Sequence, residues 1–270
     1  MKIEKECIDC IFNQSTRVSN YLKVTPKQAN YISQIAQKHI KLFDHTSTPP
    51  HNATPMYQEI AEYLNVDDIY ADMKADASKS ALSFVSTCKD NINKAEDRLK
   101  SAIKTAIAGN VIDLAAEVMF DLNDEIKKIF KTDFAIDDFR SLKNSLSQTK
   151  ILVYLADNAG EEVFDKICIE TIKELYPNIE VYYFVRGKPI INDLTMSHAK
   201  KSGLDEVATL IDSGVPTPGY VQEFASIEAN KLFESADCII SKGMGNYECL
   251  GEEKNLPIYF LLKVKCQVVA

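Results

Sequence analysis

After Lys150 the chain changes character. Apolar runs rich in β-branched and aromatic residues recur at 151–156 (ILVYLA), 179–185 (IEVYYFV), 207–211 (VATLI), 238–240 (CII) and 257–264 (PIYFLLKV). Helical patterns near 161–175, 195–202, 219–235 and 246–252 fill the spaces between them. Strands alternating with helices predict βαβ units, a mainly parallel sheet and helices on both faces through right-handed crossovers. The first unit, 151–165 (ILVYLADNAGEEVFD), shows the plan in full. A charge-free run of this length reads as a strand buried on both faces. Gly160 permits a sharp turn, and Glu161-Glu162 suit the positive end of a new helix.

The first half reads differently. Residues 1 to about 145 carry helical spacing and no strand-like alternation. Cys7, Cys10, Ile11 and Gln14 fall on one helix face. Thr25-Pro26 is a helix start, with the helix continuing over 26–42. The Pro-rich stretch 46–55 (TSTPPHNATP) reads as a loop, and helices are expected over 56–64, 67–90 and 91–108. Gly109-Asn110 reads as a C-cap, followed by a new helical run to about 129. The expected division is therefore a helical part over 1–148 and an α/β part over 149–270.

Bulk properties narrow the partners. The 270 residues are 46% hydrophobic and 26% charged, which supplies a globular core. A net charge of −8 without Lys/Arg clusters argues against nucleic acid and anionic membranes. No apolar run reaches the length of a membrane span, and the N-terminal MKIEKECIDC lacks the apolar segment of a signal peptide. Seven cysteines form no dense, even-numbered framework and read as reduced thiols in a cytoplasmic protein. Cys7-x-x-Cys10 has no second ligand pair for a structural zinc site, so two small residues packed on a helix face are the simpler reading. The four histidines show no ligand spacing, and His45 and His51 are expected in solvent.

The chemistry collects at the strand ends. The first ends at Asp157-Asn158, the second at Arg186-Gly187 and on to Asn192-Asp193. The third ends at Asp212, and the fourth at Lys242-Gly243, followed by Gly245, Asn246 and Glu248. In a parallel sheet these ends share one edge, where open α/β sheets bind ligands. Asp157, Asn158 and Asp193 are hard oxygen ligands suited to Mg²⁺ or Mn²⁺. Lys242 and its glycines suit an anion at a helix start. Metal beside anion cradle is the equipment of phosphoryl-group hydrolysis.

These residues carry a resemblance to domain of unknown function 89, the metal-dependent damage-control phosphatases, in its short archaeal and bacterial branch. It lies in Cys7-x-x-Cys10-x-x-x-Gln14, Ala108-Gly-Asn110-Val-Ile-Asp113, Asp157-Asn-Ala-Gly-Glu161 and Arg186-Gly-Lys-Pro-Ile-Ile-Asn-Asp193. It continues through Asp212-Ser-Gly214, Lys242-Gly-Met-Gly-Asn-Tyr-Glu248 and Leu262-Lys-Val-Lys-Cys266. The resemblance implies a helical N-terminal part joined to a Rossmann-like three-layer α/β/α domain. It implies a divalent ion (Mn²⁺, Mg²⁺, Co²⁺ or Ni²⁺) on Asp157, Asn158 and Asp193, and hydrolysis of small phosphomonoesters such as sugar phosphates or damaged phosphometabolites. Asp157 and Lys242 would be catalytic. Arg186, Asp212, Gly243, Gly245, Asn246 and Glu248 would face substrate, with Asn110 and Asp113 reaching the rim from the helical part. One departure is Ile69, where the family pattern has Pro before Tyr70.

Two other readings fit the same elements. An S-adenosylmethionine-dependent methyltransferase would also use a strand followed by an acid-and-glycine turn. A non-catalytic metal or sugar-phosphate-binding protein would use the same sheet edge without turnover.

Overall fold

The computed structural model describes residues 1–111, 128 and 130–270. Six helices come first: α1 (Lys5–Tyr21), α2 (Pro26–Ile40), α3 (Pro49–Leu64), α4 (Ala71–Leu82), α5 (Val85–Lys94) and α6 (Arg98–Val111). Then follow α7 (Phe139–Leu146), β1 (Ile151–Leu155), α8 (Glu161–Leu175), β2 (Glu180–Val185), α9 (Met196–Lys201) and β3 (Thr209–Asp212). The chain closes with α10 (Ile227–Glu234), β4 (Cys238–Lys242), α11 (Gly243–Leu250) and β5 (Ile258–Leu261).

The sheet has the order β3-β2-β1-β4-β5, and every pairing is parallel. The order reverses between β1 and β4, so the loops after these two strands part and leave a crevice at their carboxyl ends. Burial on both faces explains why β1 lacks alternation. Leu152 and Tyr154 join the core under α8, while Val153 and Leu155 join the core on the other face. The first of these cores also takes in Ala81, Cys88, Leu99, Ile103 and Ala106 from α4, α5 and α6. A separate cluster holds α1, α2 and α3 together. No described helix is long and apolar enough to cross a membrane.

Several helical boundaries differ from the sequence expectation. The stretch 46–55 is mostly helix: Thr48 Oγ1 accepts from His51 N, and Pro49 and Pro50 occupy the first helical positions. Proline costs nothing there, because the first N–H groups of a helix have no partner within it. Pro55 is carried inside α3. His45 is exposed, whereas His51 is half-buried, 3.9 Å from Glu223. The run 67–90 breaks into α4 and α5, and the next helix starts only at Arg98. The helix expected over 219–235 shortens to α10, capped by Ser226.

Gly109 is not a C-cap: α6 continues to Val111, and Gly109 is not among the residues of positive φ. Its missing side chain serves packing instead, since a Cβ there would meet Phe164 and Glu161 at 3.1–3.4 Å. The helical run expected over 110–129 falls almost wholly outside the described residues. On α1, Cys7, Ile11, Ser15 and Val18 form the buried face, and Cys10 is exposed rather than packed.

Candidate active site

Main-chain pairing assembles the site. Beyond β1, Leu194 N donates to Asp157 O (2.8 Å) and Ala159 N to Asn192 O (2.9 Å). Asn158 and Asp193 thereby form an isolated antiparallel bridge. Arg186 N donates to Leu194 O, which ties the same returning segment to the end of β2. The segment turns sharply at Ile191, whose φ of 42° is rare for a β-branched residue. Asp157, Asn158 and Asp193, 36 positions apart at the extremes in sequence, are brought together without any side-chain contact being needed.

Side chains then lock the arrangement. Asn158 Nδ2 donates to Asp157 Oδ2 and to Glu161 Oε1, both at 2.9 Å. With both amide hydrogens committed to carboxylates, Oδ1 is the atom Asn158 can offer a cation. Asp157 lies against the start of α11, where Gly243 has a φ of 77°. A Cβ on Gly243 would fall inside the Asp157 carboxylate. The helix N-terminus favours negative charge at that point.

Lys242 points beneath the sheet edge. Its Nζ donates to Glu161 Oε2 and to Asp165 Oδ1, each at 2.8 Å. Asp165 also accepts from the hydroxyls of Tyr154 (2.7 Å) and Tyr183 (2.8 Å). Burial favours a neutral amine, but Asp165 and Glu161 outweigh it and hold Lys242 charged. Arg186, 2% exposed, donates from Nε to Asp193 Oδ2 (2.8 Å) and from Nη2 to Asn246 Oδ1 (3.0 Å).

Burial, followed by the charges of Glu161 and Asp193, pushes Asp157 well above the usual carboxylate range. Burial also raises Asp193, against the opposing pull of Arg186. Four buried carboxylates (Asp157, Glu161, Asp165 and Asp193) thus share two paired cations among the described residues. Among the described residues no three His, Cys, Asp or Glu side chains form a metal-holding group by themselves. Glu161 accepts from Asn158 and Lys242. Asp157, Asp193 and Asn158 offer two carboxylates and an amide oxygen. That chemistry fits a hard divalent cation and no soft one.

The other expected residues divide. Asn246 is a structural node: Nδ2 donates to Ala156 O (2.9 Å) and Lys242 O (2.7 Å), and Oδ1 accepts from Tyr220 N (2.8 Å) and Arg186. All its hydrogen-bonding capacity goes to the protein. Gly245 meets the carbonyl of Pro218, and Gly219 meets Gly245 in turn, so this glycine serves a close backbone approach. Asp212 is exposed and closes a turn on Gly214 N (2.9 Å). Glu248 lies on the side of α11 that meets the N-terminus. Its carbonyl accepts from the Met1 amine, and burial raises its carboxyl to about 7. Asn110 stands on the last turn of α6 beside Gly109, and Asp113 lies outside the described residues.

One helix was missed altogether as part of the site. α4 packs through Ala77 on the turn after β1 and through Ser78 on the start of α8, with Lys74 one turn earlier on the same face. A Cβ on Gly160 would meet Ala77 at 3.1 Å, and Ser78 Oγ donates to Glu162 Oε1 at 2.5 Å. Glu162 also accepts from Gly160 N, and burial pushes its carboxyl up to about 7. The available signal was spacing: 74, 77, 78 and 81 share one helix face, with a lysine on an otherwise small-residue stripe.

The damage-control phosphatase ARMT1-like domain matches residues 3–270. A damage-control phosphatase of Pyrococcus horikoshii is 33% identical over all of this chain and 93% of its own length. One of Archaeoglobus fulgidus is 33% identical over all of this chain and 94% of its own. A crystal structure of a DUF89 family protein from Pyrococcus horikoshii superposes with a TM-score of 0.93 at 32% identity, covering 100% of this chain and 94% of that one.

Proposed function

Because the chain belongs to the damage-control phosphatase ARMT1-like family, we propose that it hydrolyses small phosphomonoesters, such as sugar phosphates or damaged phosphometabolites, with a divalent ion (Mn²⁺, Mg²⁺, Co²⁺ or Ni²⁺) held by Asp157, Asn158 and Asp193. The observation that carries this reading is the main-chain bridge between Asn158 and Asp193, which gathers three hard oxygen donors at the crevice of the sheet. A divalent ion bound there supplies Lewis-acid polarisation of a phosphoryl oxygen.

The chain's own residues do the positioning. Asn158 fixes the orientation of Asp157 and Glu161 through its amide hydrogens. Arg186 fixes Asp193, and its Nη1 has no partner among the described residues, so it can donate to a phosphate oxygen. The start of α11 adds a positive dipole end beside Asp157. Lys242 acts one layer below, pairing with Glu161 and Asp165 and holding both carboxylates in place. Charge that develops on the phosphoryl group meets donors already oriented, the usual basis of phosphoryl transfer.

The test is a chelated sample assayed on p-nitrophenyl phosphate and sugar phosphates, then resupplied with Mn²⁺, Mg²⁺, Co²⁺ or Ni²⁺ singly. Phosphate release should vanish and return with metal, and Asp193→Ala should abolish it. Metal-independent release, no release at all, or full activity in Asp193→Ala would overturn the reading.

A further inference from the structure

Arg186, Lys242 and Lys74 are buried on elements that border the crevice, and they are not equally committed. Lys242 is spent on two carboxylates, and Arg186 gives Nε to a carboxylate and Nη2 to an amide, keeping only Nη1 for a ligand. Lys74 is 0% exposed and has one partner among the described residues, Asp68 Oδ2 at 3.0 Å. An ammonium has three donors, and leaving donors unmatched in a buried place is costly. The face of α4 that carries Lys74 is the one seated on Gly160 through Ala77 and on Glu162 through Ser78. α4 also packs against α9, the helix that follows the segment returning to the site.

We propose that Lys74 is a substrate-binding residue, delivered from the helical part of the chain, whose unmatched N–H donors take an oxygen of the substrate's phosphoryl group. The proposal rests on the phosphomonoesterase reading and adds a residue to it. The competing role is purely structural. Asp68 Oδ1 also accepts from Tyr70 N at 3.0 Å, so the Asp68–Lys74 pair would then do no more than pin the start of α4.

Inorganic phosphate binding by calorimetry in the presence of Mn²⁺, together with kcat and KM for p-nitrophenyl phosphate, separates the two. Lys74→Met should weaken phosphate binding and raise KM by about 10- to 100-fold, the loss of one charge-assisted hydrogen bond. Lys74→Arg should recover part of both. Asp68→Asn keeps the ammonium and should retain phosphate binding within about threefold, less than half the logarithmic loss of one such bond. Wild-type phosphate affinity in a folded Lys74→Met protein would overturn the proposal. So would an equal loss of binding and melting temperature in Asp68→Asn and Lys74→Met. If Lys74→Met does not fold, Asp68→Asn decides: retained binding supports the proposal, and lost binding overturns it. Wild-type phosphate binding that depends on Lys74 without any turnover would sink the enzymatic reading and leave this inference standing.

Discussion

Lys242 and Asp165 form an ion pair from which water is fully excluded: the charged atoms lie 2.8 Å apart, and both side chains are 0% exposed. A buried pair of this kind is weak evidence of net stabilisation, but breaking it from one side is severe. Lys242→Met leaves Glu161 and Asp165 without their counter-ion and should cost about 3–5 kcal/mol in urea denaturation. Adding Asp165→Asn to the same chain should recover part of that loss. A cost under about 1 kcal/mol, the range of an exposed pair, would show that Lys242 is not bound into the core as described.

Glu162 sets a pH dependence. Its folded value of about 7 lies above the ordinary 4.5, so the native protein holds a proton that the unfolded chain has released between those values. The stabilisation is complete below about pH 4.5 and is lost as pH rises to about 7, up to about 3 kcal/mol in all. Guanidinium unfolding at pH 5 and pH 8 should show a smaller difference for Glu162→Gln than for wild type. An unchanged difference would assign the dependence to other groups.

Gly243→Ala should strike activity before stability. The new methyl group collides with the Asp157 carboxylate and sits on a backbone of positive φ. Displacing a reacting or ligating group by about 1 Å costs on the order of 10²-fold in rate. The assay on p-nitrophenyl phosphate should fall by that order, with metal affinity, read by titration of Mn²⁺, falling too.

Asn246→Leu should do the reverse and act first on stability. It removes both acceptor bonds that satisfy Tyr220 N and Arg186 Nη2. Each buried donor left unmatched costs about 1–3 kcal/mol. The melting temperature should drop sharply, with a rise in KM following from the loosened Arg186.

Much of this was legible in the sequence where burial itself writes the pattern. The runs at β1, β2 and β4 are apolar because both faces are covered, and the order of strands and helices follows from that. Asp157, Asn158 and Asp193 stood out as oxygen donors at strand ends. The direction of Lys242 was less visible, although period two along β4 places it with Ile240 on the α8 side. Thr48-Pro49-Pro50 looked like a loop because proline opens helices as readily as it breaks them. Lys74 and Ser78 were missed because spacing marks only a shared helix face, and that this face lands on Gly160 is a tertiary fact.

The bridge between Asn158 and Asp193 has a consequence for what the protein can tolerate. Because main chain sets the pairing, the number of residues between Arg186 and Asp193 works as a reading frame. Adding or deleting one residue there would turn the next side chain, not Asp193, toward Asp157, since neighbours along an extended strand face opposite ways. Changes of composition at Lys188 or Pro189, both exposed, leave that frame intact. Changes of length do not.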